Sequence, residues 1–304
     1  MFFQGFRQFA EGLSLTRQAM YITLLANLLN ILLNYLLIYG NWGFPALGLN
    51  GAAWATFISR VVMAVTMAAY VLVSARFAIY RMYLHIRHIS RNYIVKILRL
   101  GMPIALQMIF EMGAFSFSAV MIGWLGAKEL AAHQIAINIA AVTYMMASGI
   151  ATAATIRVGN QRGLGNLHAM QLAGYSNFIM VIGFMLCAAL LIITGNTFIP
   201  SWYVTDPDVI AMASGLLVIA ALFQLSDGVQ VVGLGALRGL EDVRVPSFIS
   251  LLAYWLVGLP VGYVLCFILN FGVNGIWLGL LTGLTIAAVL LYLRFRKLSQ
   301  FAAQ

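Results

Sequence analysis

Charge is what this sequence has least of. Only 8% of its 304 residues are Asp, Glu, Lys or Arg, while 63% are hydrophobic. A water-soluble domain of this size needs far more charge to cover its surface, so water is excluded as the solvent for most of the chain. Cysteine is nearly absent too. Cys187 and Cys266 both sit inside apolar runs, which argues against a disulfide framework and against a zinc site. The sequence holds no phosphate-binding glycine loop, no catalytic triad and no cluster of metal ligands, so an enzyme or an ATP-driven pump is disfavoured. Residues 1–15 lack a small-residue cleavage site, and no signal peptide is read there.

What is present is a series of long apolar runs. A membrane-spanning helix takes about 20 mostly apolar residues. Eight runs meet that length, at roughly 18–39, 49–74, 97–125, 130–156, 172–195, 208–235, 246–269 and 273–293. Most breaks between them carry Gly, Pro, Asn or charge, as in Gly40 to Pro45, Gly126 to Glu129, Gly159 to Gly163 and Thr205 to Asp208. Runs of this length and continuity predict an all-α membrane protein of eight helices, not a barrel.

The net charge of +9 is not spread evenly. With both termini placed in the cytoplasm, fifteen of the 17 Lys and Arg residues fall on the cytoplasmic side. Only Lys128 falls opposite, and Arg60 lies within a run. This asymmetry predicts a multi-pass protein of the cytoplasmic (inner) membrane, with the lipid bilayer as its partner and no nucleic acid. The longest basic connection, 76–99, carries His85 and His88 and reads as an orientation loop near anionic headgroups.

The chain also repeats itself. Gly48-Leu49-Asn50-Gly51 returns as Gly272-Val273-Asn274-Gly275, and Glu11-Gly12-Leu13 with Arg17 matches Arg238-Gly239-Leu240 with Arg244. Six runs separate the matched pairs, so the repeat unit is six helices, both copies in the same orientation. The expected organisation follows: 1–75 the remnant of a first lobe, 76–99 a basic inter-lobe loop, 100–294 a complete second lobe and 295–304 a cytoplasmic tail. About four helices of a twelve-helix whole are then expected to precede this chain.

Two acidic residues lie well inside runs, Glu111 and Asp227. A lone ionised carboxylate at mid-membrane costs several kcal/mol. No Lys or Arg stands near either one in its run, so both are expected to bind a travelling cation or a proton. Gln107 lies one turn before Glu111, and Gln224, Asp227 and Gln230 recur at helical spacing. With Asn138 these amides are candidate supporting oxygens for Na⁺ or a proton relay. Phe115, Phe117, Tyr144 and Met145 are candidate pocket linings, because aromatic faces attract organic cations. His133 reads as an interfacial residue without a metal.

At this point the sequence resembles the MATE (multidrug and toxic compound extrusion) family, its NorM-like branch in particular. The resemblance rests on Phe2-Phe3-Gln4, Gly101-Met102-Pro103-Ile104-Ala105, Ala132 to Asn138, Thr155 to Gly159, Gln224 to Gln230, Leu237-Arg238-Gly239, and Tyr254-Trp255 with Gly258-Leu259-Pro260. It implies a twelve-helix, two-lobe fold of which this chain is helices five to twelve. It also implies a secondary antiporter, monomeric when complete, that exports organic cations in exchange for Na⁺ or H⁺ without a bound cofactor. Glu111 and Asp227 then look like the family's coupling acids. Phe223, a further candidate for the pocket lining, stands where members often have Tyr, and the family's first-helix acid has no counterpart here. The competing expectations are a lipid or lipid-linked oligosaccharide flippase, which needs a basic cavity, and a fragment without transport of its own.

Overall fold

The computed structural model describes residues 2–81 and 90–301, all helix, turn and connection. Two compact units divide it at Ile94 and Val95. The first contains α1 (Phe2–Gly12), α2 (Thr16–Tyr39), α3 (Leu49–Val73) and the short α4 (Ala78–Arg81). Helix α5 (Arg91–Gly123) leads into the second unit, followed by α6 (Ala127–Gly163), α7 (Leu167–Gly195) and α8 (Pro207–Gly239). The next span is α9 (Arg244–Leu251), a π-helical stretch Leu252–Gly258, α10 (Leu259–Tyr263) and a second π stretch Val264–Ile268. Helix α11 (Val273–Phe301) closes the chain.

Among the described residues, eight helices are long and apolar enough to cross a membrane. Several outrun their apolar segments. Helix α6 has 37 residues, or about 55 Å at 1.5 Å per residue, against a hydrocarbon core of about 30 Å. Its last turns, with Arg157 and Arg162, therefore continue into polar surroundings. Local chemistry fixes the ends. Gly40 caps α2 in a left-handed conformation, and the side chains of Asn166 and Asp206 accept backbone N–H groups at the starts of α7 and α8.

The repeat is visible in backbone detail. After α1, Ser14 takes a φ of 62° and Leu15 N–H reaches back to Ala10 O at 2.9 Å. After α8, Glu241 takes a φ of 55° and Asp242 N–H reaches back to Leu237 O at 3.0 Å. All three positions are offset by the same 227 residues. At the other match, Gly48 and Gly272 share positive φ values of 54° and 58°. Gly51 and Gly275 each face the backbone of the preceding helix too closely for a Cβ, at Leu37 and at Leu265–Cys266. Two stretches with separate packing thus solve the same turns in the same way.

Small residues position the second unit's core. Gly235 and Gly239 on α8 face the backbone of α6 at Ala151 and Thr155, and Thr155 Oγ1 donates to Gly235 O at 2.8 Å. Small side chains let helix backbones approach closely where lipid supplies no hydrophobic drive. Gly258 and Gly262 meet Gly279 and Gly283 of α11 in the same manner. The π stretch lies just before Pro260, which has no N–H to continue the ladder.

Two expectations need correction. Arg91, Lys96 and Arg99 are not in a loop, because α5 begins at Arg91; His85, Arg87 and His88 lie outside the described residues. His133, expected near the opening of its span, is buried inside a helix. Helix α6 starts at Ala127, which puts His133 nearly two turns inside. Its ring packs edge-on to Trp277 at 5.7 Å, and Nδ1 is buried without a hydrogen-bond partner. Trp255, quoted above only as part of a motif, ties α9's continuation to α5 by donating to Phe110 O at 2.9 Å.

Candidate functional site

The acidic residues fall into two groups. Five of the eight close ion pairs: Glu11 with Arg7, Glu241 with Lys96, Asp206 and Asp208 with Lys128, and Asp242 with Arg294. Glu129 stands in the first turn of α6, where the free N–H groups favour an anion. Glu111 and Asp227 have neither arrangement. Both are buried, and no ion pair reaches them among the described residues.

Both line one half-open cavity of about 530 Å³, walled by α5, α6 and α8. Its apolar wall includes Phe115, Tyr144 and Phe223, with Met108 and Met112 from α5. Phe223 packs edge-on against Phe115 at 6.0 Å and against Trp277 at 5.7 Å, which holds these rings in place. A flat cation entering here meets aromatic faces and negative charge together. Phe117 and Met145 do not line the cavity. Phe117 stacks on Trp255 at 6.3 Å, and Met145 is exposed.

A chain of amides holds Glu111. Gln107 Nε2 and Gln230 Nε2 donate to its two oxygens, each at 3.4 Å. Tyr254 donates to Gln230 Oε1 at 2.8 Å. Both bonds to the carboxylate are long, so Glu111 is oriented without being tightly held. Asp227 lines the cavity without a hydrogen-bond donor among the described residues.

The other two amides go elsewhere. Gln224 Oε1 accepts from Thr143 Oγ1 at 2.7 Å, tying α8 to α6, and Gln224 is absent from the cavity wall. Asn138 faces outward and accepts from Tyr203 at 3.2 Å. Helical spacing put Gln224 near Asp227, and Asn138 was a candidate as an amide within a span, but the rotation of α6 and α8 turns both to other neighbours.

The largest correction concerns Arg238. The sequence reading assigned it to a cytoplasmic connection and held that no base stands near the acids. Helix α8 continues to Gly239, and Arg238 lines the cavity, donating to Gln107 Oε1 at 3.0 Å. The signal was available, since eleven residues make about three turns plus 20°, so Arg238 shares a helix face with Asp227. Tyr254 was also missed as a site residue. It acts through Gln230 from another helix, which no spacing rule reveals.

Eight helices long and apolar enough to span a membrane, with an acidic, aromatic-walled cavity among three helices of the second unit, define a multi-pass membrane protein with a built site for a small molecule. The MatE family's sequence model matches residues 103–264. The "Probable multidrug resistance protein NorM" of Xanthomonas campestris is 39% identical over 299 residues, 98% of this chain and 65% of that protein. The "Multidrug resistance protein MdtK" of Yersinia pseudotuberculosis is 39% identical, with 99% and 66% covered. Among solved structures, the eukaryotic MATE transporter AtDTX14 superposes with a TM-score of 0.87 at 21% identity, over 99% of this chain and 67% of that one. The chain belongs to the MatE family. It spans about 65% of the length of the first of these relatives.

Proposed function

We infer that the chain works in secondary active export, binding cationic aromatic drugs in exchange for Na⁺ or H⁺. The observation that carries this reading is the pair Glu111 and Asp227, buried in one aromatic-walled cavity and closed by no ion pair among the described residues. An ionised acid in that setting gains most from a mobile cation, which binds, leaves and is replaced by another. Drug and coupling ion then compete for the same negative charge. The names of the relatives, multidrug resistance proteins, agree with this assignment. The charge asymmetry supports a topology in which the arginine-rich helix ends, and both termini, face the cytoplasm at a bacterial inner membrane.

A lipid-linked pyrophosphate flippase gains one favourable residue, Arg238, over the sequence reading. One base beside two acids still leaves a net negative cavity when both acids are ionised, the wrong sign for a pyrophosphate.

Equilibrium binding of ethidium to the purified chain in detergent tests the reading. Ethidium is expected to bind, and to be displaced by Na⁺ or by acidification at constant ionic strength. Glu111→Gln and Asp227→Asn should remove that displacement. Binding indifferent to both ions and to both substitutions would refute the assignment.

A further inference from the structure

Helix α5 and the span that begins with α9 meet along a seam. Lys96 pairs with Glu241 at 3.3 Å, Ser247 Oγ donates to Pro103 O at 2.6 Å, and Trp255 donates to Phe110 O at 2.9 Å. The contacts rise together along both stretches, so the two run parallel. The partners in each are 144 or 145 residues apart. Arg99 and Arg244 have the same separation. They stand at one height on neighbouring helices, between the first contact and the second.

The contacts also fix which way these arginines face. Arg99 comes three residues after Lys96, and Arg244 three before Ser247. Three residues turn a helix by about 300°, or 60° short of a full circle. On parallel right-handed helices, a step forward on one and a step back on the other lead to the same side of the seam. That side is the outer one. Gln107 and Glu111 are buried on the other side, whereas Arg99 and Arg244 are exposed.

Neither arginine has an ion pair among the described residues. The acids of the adjoining turn are already taken, Glu241 by Lys96 and Asp242 by Arg294. Deeper along the same stripes the surface turns apolar. Met102 and Leu106 follow Arg99 at i+3 and i+7, and Phe248 and Leu252 follow Arg244 at i+4 and i+8, all four exposed. Two uncompensated guanidinium groups thus stand at the head of an apolar groove, at the arginine-rich end of two spans.

A guanidinium matches a phosphate in a two-pronged contact, and two of them at one height match a phosphodiester. A soluble anion would use the charges and leave the groove empty, whereas an anionic phospholipid uses both. We propose that Arg99 and Arg244 hold the phosphate of one anionic phospholipid, with an acyl chain lying along Met102, Leu106 and Phe248. Basic pockets between spanning helices suit such headgroups. The site is separate from the cavity and does not rest on the export reading.

The test compares phosphatidylglycerol with phosphatidylcholine of the same acyl chains, added to the purified chain in detergent. Bound lipid is counted by native mass spectrometry, and the unfolding midpoint is read alongside. One phosphatidylglycerol should be retained in preference to phosphatidylcholine and should raise the midpoint. Arg99→Gln and Arg244→Gln should each weaken that binding by about tenfold or more, the usual loss for a charge-assisted contact. Arg99→Lys and Arg244→Lys keep the charge and should lose less. Phe248→Ala should weaken both lipids. Arg157→Gln, which removes an exposed arginine of α6, should change nothing.

Equal retention of the two lipids by the wild-type chain overturns the proposal, and this comparison decides the matter if a variant does not purify. So does an equal loss in Arg157→Gln, which means attraction to overall charge. Undiminished binding in both Arg→Gln variants removes the site. Glycerol phosphate that binds as tightly as the intact lipid means a site for a soluble anion and also overturns it.

Discussion

Arg238 donates to the side-chain oxygen of Gln107 at 3.0 Å, and the nitrogen of the same amide donates to Glu111 at 3.4 Å. Gln107 therefore stands between a base and an acid that would otherwise attract each other directly. An amide has both a donor and an acceptor end, so it bridges the two charges without cancelling either.

Removing that spacer should let the charges meet. In Gln107→Ala, Arg238 is expected to pair with Glu111 and neutralise it, so ethidium binding should fall by about three- to tenfold, the effect of losing one charge-assisted contact. Combining it with Arg238→Gln should restore part of the affinity. Binding titrations on the single and double variants check this; additive losses would mean that Gln107 acts alone.

Asp227 carries a cost that its substitution should expose. The side chain is buried, with no donor among the described residues to stabilise its charge. Asp227→Asn removes the charge and should raise the thermal unfolding midpoint, by an amount corresponding to about 1–2 kcal/mol, while lowering organic-cation affinity about tenfold or more. Thermal unfolding in detergent, read beside ethidium binding, shows both signs. A destabilised variant would mean that the acid is structurally required.

Tyr254 should act at a distance. Its hydroxyl donates to Gln230, which donates to Glu111. Tyr254→Phe keeps the buried ring and leaves Gln230 short of one bond, a loss of about 1 kcal/mol. A lower melting temperature and a two- to fivefold weaker ethidium affinity are expected together. An unchanged affinity would confine Tyr254 to packing.

The close helix contacts give a prediction of stability alone. A Cβ at Gly275 would lie 2.6 Å from the backbone nitrogen of Cys266, so Gly275→Ala must push α11 away. The cost should be about 2–3 kcal/mol, as for overpacked cores. Gly149 on α6 has open space where its Cβ would go, and Gly149→Ala should be neutral or stabilising by up to about 1 kcal/mol. Thermal unfolding of the two variants side by side tests the contrast.

Membrane orientation is open to direct labelling. In a background with Cys187 and Cys266 replaced, cysteines placed at Asn166 and at Ser201 lie in connections at opposite ends of α7. A membrane-impermeant maleimide applied to intact cells should label the Ser201 site and spare the Asn166 site, as the distribution of arginine requires. The reverse pattern would invert the topology.

Much of this protein was legible in its sequence. Scarce charge and runs of about 20 apolar residues leave helices in lipid as the stable arrangement, because unpaired backbone groups are too costly there. The repeat also showed, since Gly48 and Gly272 mark turns that need positive φ. Glu111 and Asp227 stood out because carboxylates are rare at membrane depth.

What sequence could not decide is which neighbours each side chain meets. Gln224 and Gln230 follow the same spacing around Asp227, yet one is bound to Thr143 and the other to Glu111. The outcome depends on how α8 is rotated about its axis, and close contacts at Gly235 and Gly239 fix that rotation against α6. Arg238 followed the same rule. Composition made it an orientation signal, and only the extra turn of α8 and the packing of three helices carried its charge into the cavity. Period and hydropathy are properties of one segment, whereas a site is a property of several segments brought together, and its charge balance exists only once they pack.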